Sequence, residues 1–252
     1  MHPHLTKLSF CALTALAAVW APAHAASSTA NATIANFRLE LVDLDLNDGI
    51  TPSITFTRQT WSIETRGAGQ VQTLDQAGAT SIENAFGSAH GTLSDSTVGS
   101  TASVNHPLPL DNTYHAYRND SFRSATFTLS PNTQLIFTAV GTVSQEKLGY
   151  FDYASSYVAM QGALWGTPDG VSDSFRNDYG TGEGSASMKL YGSLSSDDRV
   201  AEGRFLLQTY AILSGPVTSP VPEPSTYAML LAGTFVLGAV ARRRRAVSAA
   251  TA

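Results

Sequence analysis

Residues 185–213 read SASMKLYGSLSSDDRVAEGRFLLQTYAIL, the part of the chain where the alternation of strands is clearest. Its two ends, 185–194 and 204–213, place apolar or small residues at every second position, and a Ser/Asp-rich segment separates them. In the second of these ends one face carries Phe205, Leu207, Thr209, Ala211 and Leu213. A period of two is that of a strand with one packed face and one wet face. The stretch therefore predicts two consecutive strands joined by a turn.

Similar segments occur along the preceding chain. Five of them, separated by clusters of Gly, Pro, Asn, Asp and Ser, lie at residues 34–42, 54–65, 122–129, 134–143 and 157–165. Seven or more such strands predict an all-β fold, an antiparallel β-sandwich over residues 26–217. Residues 68–110 are rich in Gly, Ser, Thr and Ala, a composition that fits either weak strands or a long surface excursion.

Charge restricts the partners of this predicted domain. Residues 26–219 hold ten Lys and Arg against nineteen Asp and Glu, a net charge of about −9. Nucleic-acid binding requires clustered positive charge, and here the arginines are scattered. The composition therefore argues against a nucleic-acid partner.

The first 25 residues have the three parts of a secretory signal peptide. A weakly basic start with Lys7 precedes the apolar run 8–20, and the small-residue site Ala23-His24-Ala25 follows. We predict cleavage between Ala25 and Ala26. The one cysteine, Cys11, leaves with the signal peptide, so the exported domain has neither a disulfide framework nor a thiolate metal site.

The other end of the chain has three ordered parts. Residues 218–226 form a proline-rich spacer, because prolines remove hydrogen-bond donors and hold the backbone extended. The uncharged run 227–241 follows; as a helix it is about 22 Å long, short of the roughly 30 Å hydrocarbon core. The basic tail 242–252 begins with Arg242, Arg243, Arg244 and Arg245. By the positive-inside rule this arrangement predicts a short transmembrane helix with a cytoplasmic tail and an exported domain.

These features resemble a known sorting signal. Val221, Pro222, Glu223 and Pro224, followed by the apolar run and the arginine cluster, are similar to the PEP-CTERM signal of Gram-negative bacteria. The resemblance implies recognition of Pro-Glu-Pro by exosortase, a membrane processing enzyme, with the inner membrane as an intermediate location. It also implies an association with exopolysaccharide and biofilm matrix, and the same segment carries an ice-binding label.

Two acidic segments are candidate calcium sites. Asp43, Asp45, Asn47 and Asp48 present alternate oxygen ligands before a glycine, although the spacing departs from that of an EF-hand loop. The same residue types form tight turns, so a strand-ending turn is the alternative. A second acidic segment contains Asp169, Asp173 and Asp178 and has the same two interpretations. No other cofactor is predicted.

The sequence shows no assembled catalytic site. The histidines that remain after signal removal have no spacing that places two of them on one helix turn: His90, His106 and His115. The glycine run Gly180, Gly182 and Gly184 precedes a strand pattern rather than a helix, so we predict a flexible loop and no phosphate site. Ser185 lacks a nucleophile elbow, and the pair Asp197-Asp198 is predicted to be a turn.

Aromatic residues offer one further candidate surface. Exposed rings stack on sugar faces, whereas aromatic residues in strands also form core contacts and cross-strand pairs. The candidates are Trp61, Tyr114, Tyr117, Tyr150, Phe151, Tyr153, Tyr157 and Trp165. The sequence therefore supports two functions: a non-enzymatic exported envelope or matrix protein, or a secreted module that binds polysaccharide, calcium or ice.

Overall fold

Strands dominate the part of the chain that the structure describes. In this computed structural model the described residues are 27–105, 113–148, 152–165, 173–216 and 233–234. The chain divides into two units, Met1–Thr218 and Ser219–Ala252. The predicted signal peptide and spacer lie outside the described residues, as does the apolar run except for Gly233 and Thr234. Within the described part, no helix has the length and apolar character needed to cross a membrane.

Twelve strands are present among the described residues. They are β1 (Ser27–Asp43), β2 (Ile54–Gly67), β3 (Gln70–Leu74), β4 (Gly78–Asn84), β5 (Gly87–Leu93), β6 (Val98–Asn105), β7 (Tyr114–Leu129), β8 (Thr133–Glu146), β9 (Tyr153–Trp165), β10 (Asp173–Thr181), β11 (Gly184–Ser195) and β12 (Ala201–Pro216). Each of the seven strands expected from the alternation lies within one of them. The all-β prediction is confirmed.

The strands form two six-stranded antiparallel sheets. Sheet A has the order β11-β8-β1-β6-β5-β4, and sheet B has the order β10-β9-β12-β7-β2-β3. The predicted antiparallel β-sandwich is therefore the observed architecture. Strands β1 and β8 pair over most of their length in sheet A, and β7 and β12 do the same in the centre of sheet B.

Alternation along β12 explains why its inner face is packed. Phe205 and Leu207 are 1% exposed, and Ala211 and Leu213 are fully buried, as the sequence predicts. On β11, Leu190 and Leu194 face the same interior. Burying such apolar side chains is the main favourable term in folding and fixes which face of each strand points inward.

Phenylalanine rings fill the centre of the sandwich. The ring of Phe205 lies 5.4 Å from that of Phe37, 5.8 Å from that of Phe137 and 6.3 Å from that of Phe56, measured between centroids. The contacts to Phe56 and Phe137 are edge-to-face, an arrangement that the ring quadrupoles favour. These rings come from both sheets and hold them together.

One arginine occupies an inward position. Arg123 is 7% exposed, its guanidinium lies 4.6 Å from the Trp61 ring centroid, and it donates a hydrogen bond to the Asp95 carbonyl. Burial lowers the pKa of Arg123 below its ordinary value, and the nearby Asp95 carboxylate opposes that shift. The aromatic contact and the carbonyl partly replace the water that the cation loses.

Residues 68–105 are mostly strands rather than a long excursion, and residues 106–110 lie outside the described residues. Strands β3 to β6 occupy most of this stretch, and β4, β5 and β6 form an antiparallel meander. Ala68 and Gly69 have φ values of 52° and 74° and join β2 to β3 through a two-residue hairpin turn. Two successive positive φ values are typical of a type I′ turn. The small residues of this region therefore belong to sheets.

The glycine run is also more ordered than the sequence predicts. Gly180 lies inside β10, and Gly184 begins β11 with a φ of 84°. Only Gly182 and Glu183 lie between these strands, where the chain passes from sheet B to sheet A. The prediction of a flexible loop over all three glycines is wrong, because two of them belong to strands.

Both ends of the domain lie at the same end of the sandwich. Ser27 pairs with Asn105 at the end of β6, and Pro216 pairs with Tyr114 at the start of β7. Asn105 ends β6 and Tyr114 begins β7, so both pairs lie where β6 connects to β7. The chain therefore enters and leaves the domain at one end, and the connections β1–β2, β7–β8 and β11–β12 lie at the opposite end.

Candidate functional site

The outer face of sheet B carries a cluster of tyrosines. On β12, the residues between the buried positions point outward and include Gln208 and Tyr210. Tyr157 on β9 pairs in register with Tyr210, and Tyr153 lies four residues earlier on the same side of β9. We call the surface formed by Tyr153, Tyr157, Tyr210 and Gln208 the tyrosine face.

Two rings of the tyrosine face form a cross-strand pair. The centroids of Tyr157 and Tyr210 are 5.3 Å apart, and their planes are 24° from parallel. The Arg118 guanidinium lies 5.0 Å from the Tyr210 ring centroid. Stacking between strands and a cation over a ring each stabilise such a cluster. The rings are therefore held in fixed positions on an open sheet.

The hydroxyls of this pair stay protonated to higher pH than that of an ordinary tyrosine. Burial raises the pKa of Tyr157, and the negative charge of Asp120 raises it further. Burial also raises the pKa of Tyr210, although Arg118 opposes the shift. Both side chains are therefore neutral at physiological pH, with a hydroxyl able to donate and accept.

Polar groups border the rings. Asp120 on β7 pairs in register with Tyr210, and its carboxylate accepts a 3.0 Å hydrogen bond from Gln208 Nε2. Arg118 Nη2 lies 3.5 Å from the second oxygen of Asp120. On β10, Arg176 Nε donates to Asp178 Oδ2 at 2.5 Å. The tyrosine face thus combines ring surfaces with fixed donors and acceptors.

An open hollow of about 340 Å³ lies beside Tyr157. Ala159, which is 3% exposed, pairs with Asp178 on one side and Gln208 on the other. Because the alanine is small, it leaves space between these longer side chains. The lining residues are Tyr157, Ala159, Gln161, Arg176, Asp178, Tyr179, Gly180 and Gln208.

The predicted aromatic candidates separate between the interior and the surface. Tyr117 is fully buried, and Trp61 packs against the core, so neither is an exposed ring. Tyr114 is 63% exposed and Tyr153 is 56% exposed. Trp165 lies on the outer face with the Arg204 guanidinium 5.4 Å from its ring centroid. Tyr150 and Phe151 lie outside the described residues.

Sequence reasoning missed Tyr210, Gln208 and Asp120. The alternation in residues 204–213 does place Gln208 and Tyr210 opposite the apolar face, which marks them as outward. It carries no information about Tyr157, because pairing between β9 and β12 is a long-range contact.

The first acidic candidate forms a hydrogen-bonded turn. Asp43, Asp45 and Asp48 each accept a hydrogen bond from the backbone N–H two residues further on, at 3.0, 3.1 and 2.6 Å, and Asn47 supplies one of those N–H groups. Asn132 Nδ2 donates to Asp48 at 2.8 Å, and these two bonds to Asp48 lower its pKa. The structure accounts for this loop as Asx turns, and calcium binding there stays a prediction.

The remaining metal candidates are dispersed. Asp173 accepts a hydrogen bond from the Ser195 N–H at 2.9 Å, whereas Asp169 lies outside the described residues. His115 stacks on Phe86 at 4.4 Å, His90 lies in β5 in the other sheet, and His106 is outside the described part. Within the described ranges, no group of three or more His, Cys, Asp or Glu residues is placed to hold a metal ion.

Three residues without a predicted catalytic role lie at the surface: Ser185, Asp197 and Asp198. Ser185 is exposed in β11 and pairs with Ser144 of β8. Asp197 and Asp198 are exposed between β11 and β12, and the Asp197 carbonyl accepts a hydrogen bond from the Asn132 N–H at 2.7 Å. This bond ties two connections together at the end of the sandwich remote from Pro216.

Comparison with known proteins concerns the C-terminal unit. Residues 220–245, which contain Pro-Glu-Pro, the apolar run and the four arginines, match a known sorting motif. The chain carries a PEP-CTERM protein-sorting motif. The PEP-CTERM motif indicates export through the inner membrane to the cell surface or extracellular space, with processing by exosortase. Residues 221–224 of the motif and the predicted signal cleavage site lie outside the described residues.

The other comparisons add little to the PEP-CTERM match. No curated protein matches the chain. Among solved structures, the N-terminal CBM22-1-CBM22-2 tandem domain of Xyn10C from Paenibacillus barcinonensis is similar at 10% identity. That similarity covers 76% of this chain and 79% of that chain, with a TM-score of 0.14. A TM-score this low supports no statement about fold or function.

Proposed function

We propose that the exported domain is a non-enzymatic protein of the cell surface or extracellular matrix, which binds polysaccharide through the tyrosine face. The observation that carries the proposal is the Tyr157–Tyr210 pair, fixed on an open sheet beside a hollow with polar walls. The PEP-CTERM motif supports the location, because it directs the domain to the cell surface or extracellular space.

The chemistry of the tyrosine face suits sugars. A pyranose ring has an apolar C–H face and a rim of hydroxyls, so it needs a ring surface together with hydrogen-bonding groups. Tyrosine offers an apolar body and a polar tip. Gln208, Gln161 and Asp178 line the same hollow with amide and carboxylate groups that bond hydroxyls in either direction. An open sheet face also accommodates a long polymer, which a closed cavity does not.

The arrangement of carboxylates favours binding over hydrolysis. A glycosidase needs two carboxyl groups on either side of the scissile bond, one of them able to give its proton to the glycosidic oxygen. Beside the hollow, Asp178 is in an ion pair with Arg176 at 2.5 Å, and Asp120 accepts hydrogen bonds from Gln208 and Arg118. Both carboxylates therefore already form ion pairs or hydrogen bonds with neighbouring side chains.

The test is glycan binding by full-length protein carrying Tyr157→Ala or Tyr210→Phe. Removing the Tyr157 ring removes one stacking surface, so we expect at least about a tenfold loss of affinity. Tyr210→Phe keeps the ring and removes the hydroxyl, so a smaller loss is expected. Affinity electrophoresis through gels containing bacterial exopolysaccharide measures both.

Tyr191→Ala is the matched control. Tyr191 is 57% exposed and lies on the outer face of sheet A, remote from the tyrosine face. Its removal should leave retardation in the gel unchanged. The proposal fails if no glycan retards the wild-type protein, or if Tyr191→Ala weakens binding as much as Tyr157→Ala does.

A further inference from the structure

We propose that the polysaccharide bound by the tyrosine face is acidic, and that Arg58 and Arg204 receive its anionic groups. This inference rests on the proposed function and names the class of its ligand. It derives from an uneven distribution of arginines in an acidic domain.

Five of the eight arginines in residues 26–219 lie on the outer face of sheet B. They are Arg58 and Arg66 on β2, Arg118 on β7, Arg176 on β10 and Arg204 on β12. The acidic residues that point outward from the same strands are fewer: Glu64, Asp120, Asp178 and Glu202. This face is therefore about +1, although the domain as a whole is about −9.

Three of these arginines are neutralised by neighbours on their own strands. Arg66 pairs with Glu64 at 2.7 Å, Arg118 with Asp120 at 3.5 Å and Arg176 with Asp178 at 2.5 Å. Each pair joins residues two positions apart, so the alternation of the strand places both on one face.

Arg58 and Arg204 differ from the other three. Among the described residues, neither has a carboxylate within ion-pair distance, and both side chains are exposed. The Arg204 guanidinium is held over the Trp165 ring, 5.4 Å from its centroid. A guanidinium offers paired donors that match a carboxylate or sulfate in bidentate fashion.

The sheet places these two arginines in one row. Arg58 and Arg204 pair in register with Thr126, one from each side. Neighbouring strands are about 4.8 Å apart, so the two Cα atoms are roughly 10 Å apart. In this row of the outer face, Thr126 therefore has one arginine on each side.

The distance to the tyrosine face sets the minimum length of the ligand. Arg204 and Tyr210 are on the same side of β12 and six residues apart, which is about 20 Å along a strand. Uncharged residues lie between them, including Leu206, Gln208 and Gln161. A single sugar cannot span this distance, so only an extended acidic chain contacts both the arginine row and the tyrosines.

The negative charge of the rest of the domain also favours binding of an acidic polymer at this face. Its excess of acidic residues repels a polyanion elsewhere, whereas the outer face of sheet B does not. Contacts to exposed arginines weaken as salt increases, because the Debye length is about 8 Å at physiological ionic strength. Binding of the acidic chain should therefore be salt-sensitive, whereas stacking on tyrosine should not.

The experiment compares alginate, dextran sulfate and neutral dextran as probes of the full-length protein. We expect the wild type to bind at least one acidic polymer about tenfold more tightly than dextran. Arg58→Gln and Arg204→Gln should each remove most of that difference. The relative affinities for alginate and dextran sulfate identify the preferred anion as carboxylate or sulfate.

Arg38→Gln provides the control. Arg38 is an exposed arginine on β1 in sheet A, so its replacement changes the net charge equally without touching the tyrosine face. Equal binding of dextran and the acidic polymers, or an equal loss in Arg38→Gln, overturns the inference while the proposed function stands. Absence of binding by any polysaccharide overturns the proposed function itself.

Discussion

Leu206 and Leu207 are adjacent leucines on opposite faces of β12, and this provides a sharp test of the sandwich. Leu207 is 1% exposed in the core, whereas Leu206 is half-buried on the outer face. Leu207→Ala and Leu206→Ala remove the same atoms at consecutive positions. Any difference between the two variants therefore reports which face of the strand points inward.

The expected magnitudes follow from the surroundings of each side chain. Leu207 belongs to the main core cluster, and truncating a buried leucine costs about 2–5 kcal/mol through lost burial and the cavity that remains. We expect about 3 kcal/mol for Leu207→Ala. Leu206 leaves no closed cavity when truncated, so we expect less than about 1 kcal/mol.

Urea unfolding followed by tryptophan fluorescence measures both values. With a slope near 2.5 kcal/mol/M, a loss of about 3 kcal/mol lowers the midpoint by about 1 M. Equal shifts, or a larger shift for Leu206→Ala, would refute the register of β12. A one-residue slip moves every side chain to the other face, so Tyr210 would then lie in the interior and the tyrosine face would not exist.

Two further predictions concern the tyrosines and the tail. Burial raises the folded-state pKa of Tyr157 and Tyr210 above the ordinary value of 10.0. Their contribution to the free energy of unfolding is therefore complete below about pH 10 and is lost as the pH rises toward the folded-state pKa values. The melting temperature should fall over that pH range, and it should fall less in a double variant that carries Tyr157→Phe and Tyr210→Phe. An equal fall in the wild type and the double variant would assign the pH dependence to other groups. Replacing Pro222, Glu223 and Pro224 by alanine should leave the protein in the membrane fraction on immunoblots, and unchanged release would contradict recognition of Pro-Glu-Pro.

Much of the fold could be predicted because it depends on local alternation. The seven predicted strands lie where the sequence alternates most clearly, and their inward residues are those expected, as Phe205 and Leu190 show. The sequence does not predict β3 to β6 clearly, because small residues such as those of 98–105 carry a weak hydrophobic signal. In the structure, pairing with β1 supports β6, and this contact joins distant parts of the chain.

Arg123 shows a second limit of sequence reasoning. Its inward position follows from the alternation of β7, yet a charged residue in the core contradicts the usual pattern. Trp61 and Asp95 make the position tolerable, and both come from other segments. Only the assembled sandwich brings these groups around the guanidinium.

The sequence alone predicts seven of the strands, the outward position of Tyr210 and the C-terminal sorting motif, because each depends on residues close together in the chain. The stacking of Tyr157 on Tyr210 depends on tertiary structure, as does the placement of Arg58 on one side of Thr126 and Arg204 on the other. Backbone hydrogen bonds can join any two strands of suitable length, so local pattern does not specify the neighbours. Packing of both inner faces selects one strand order, and that order creates the tyrosine face.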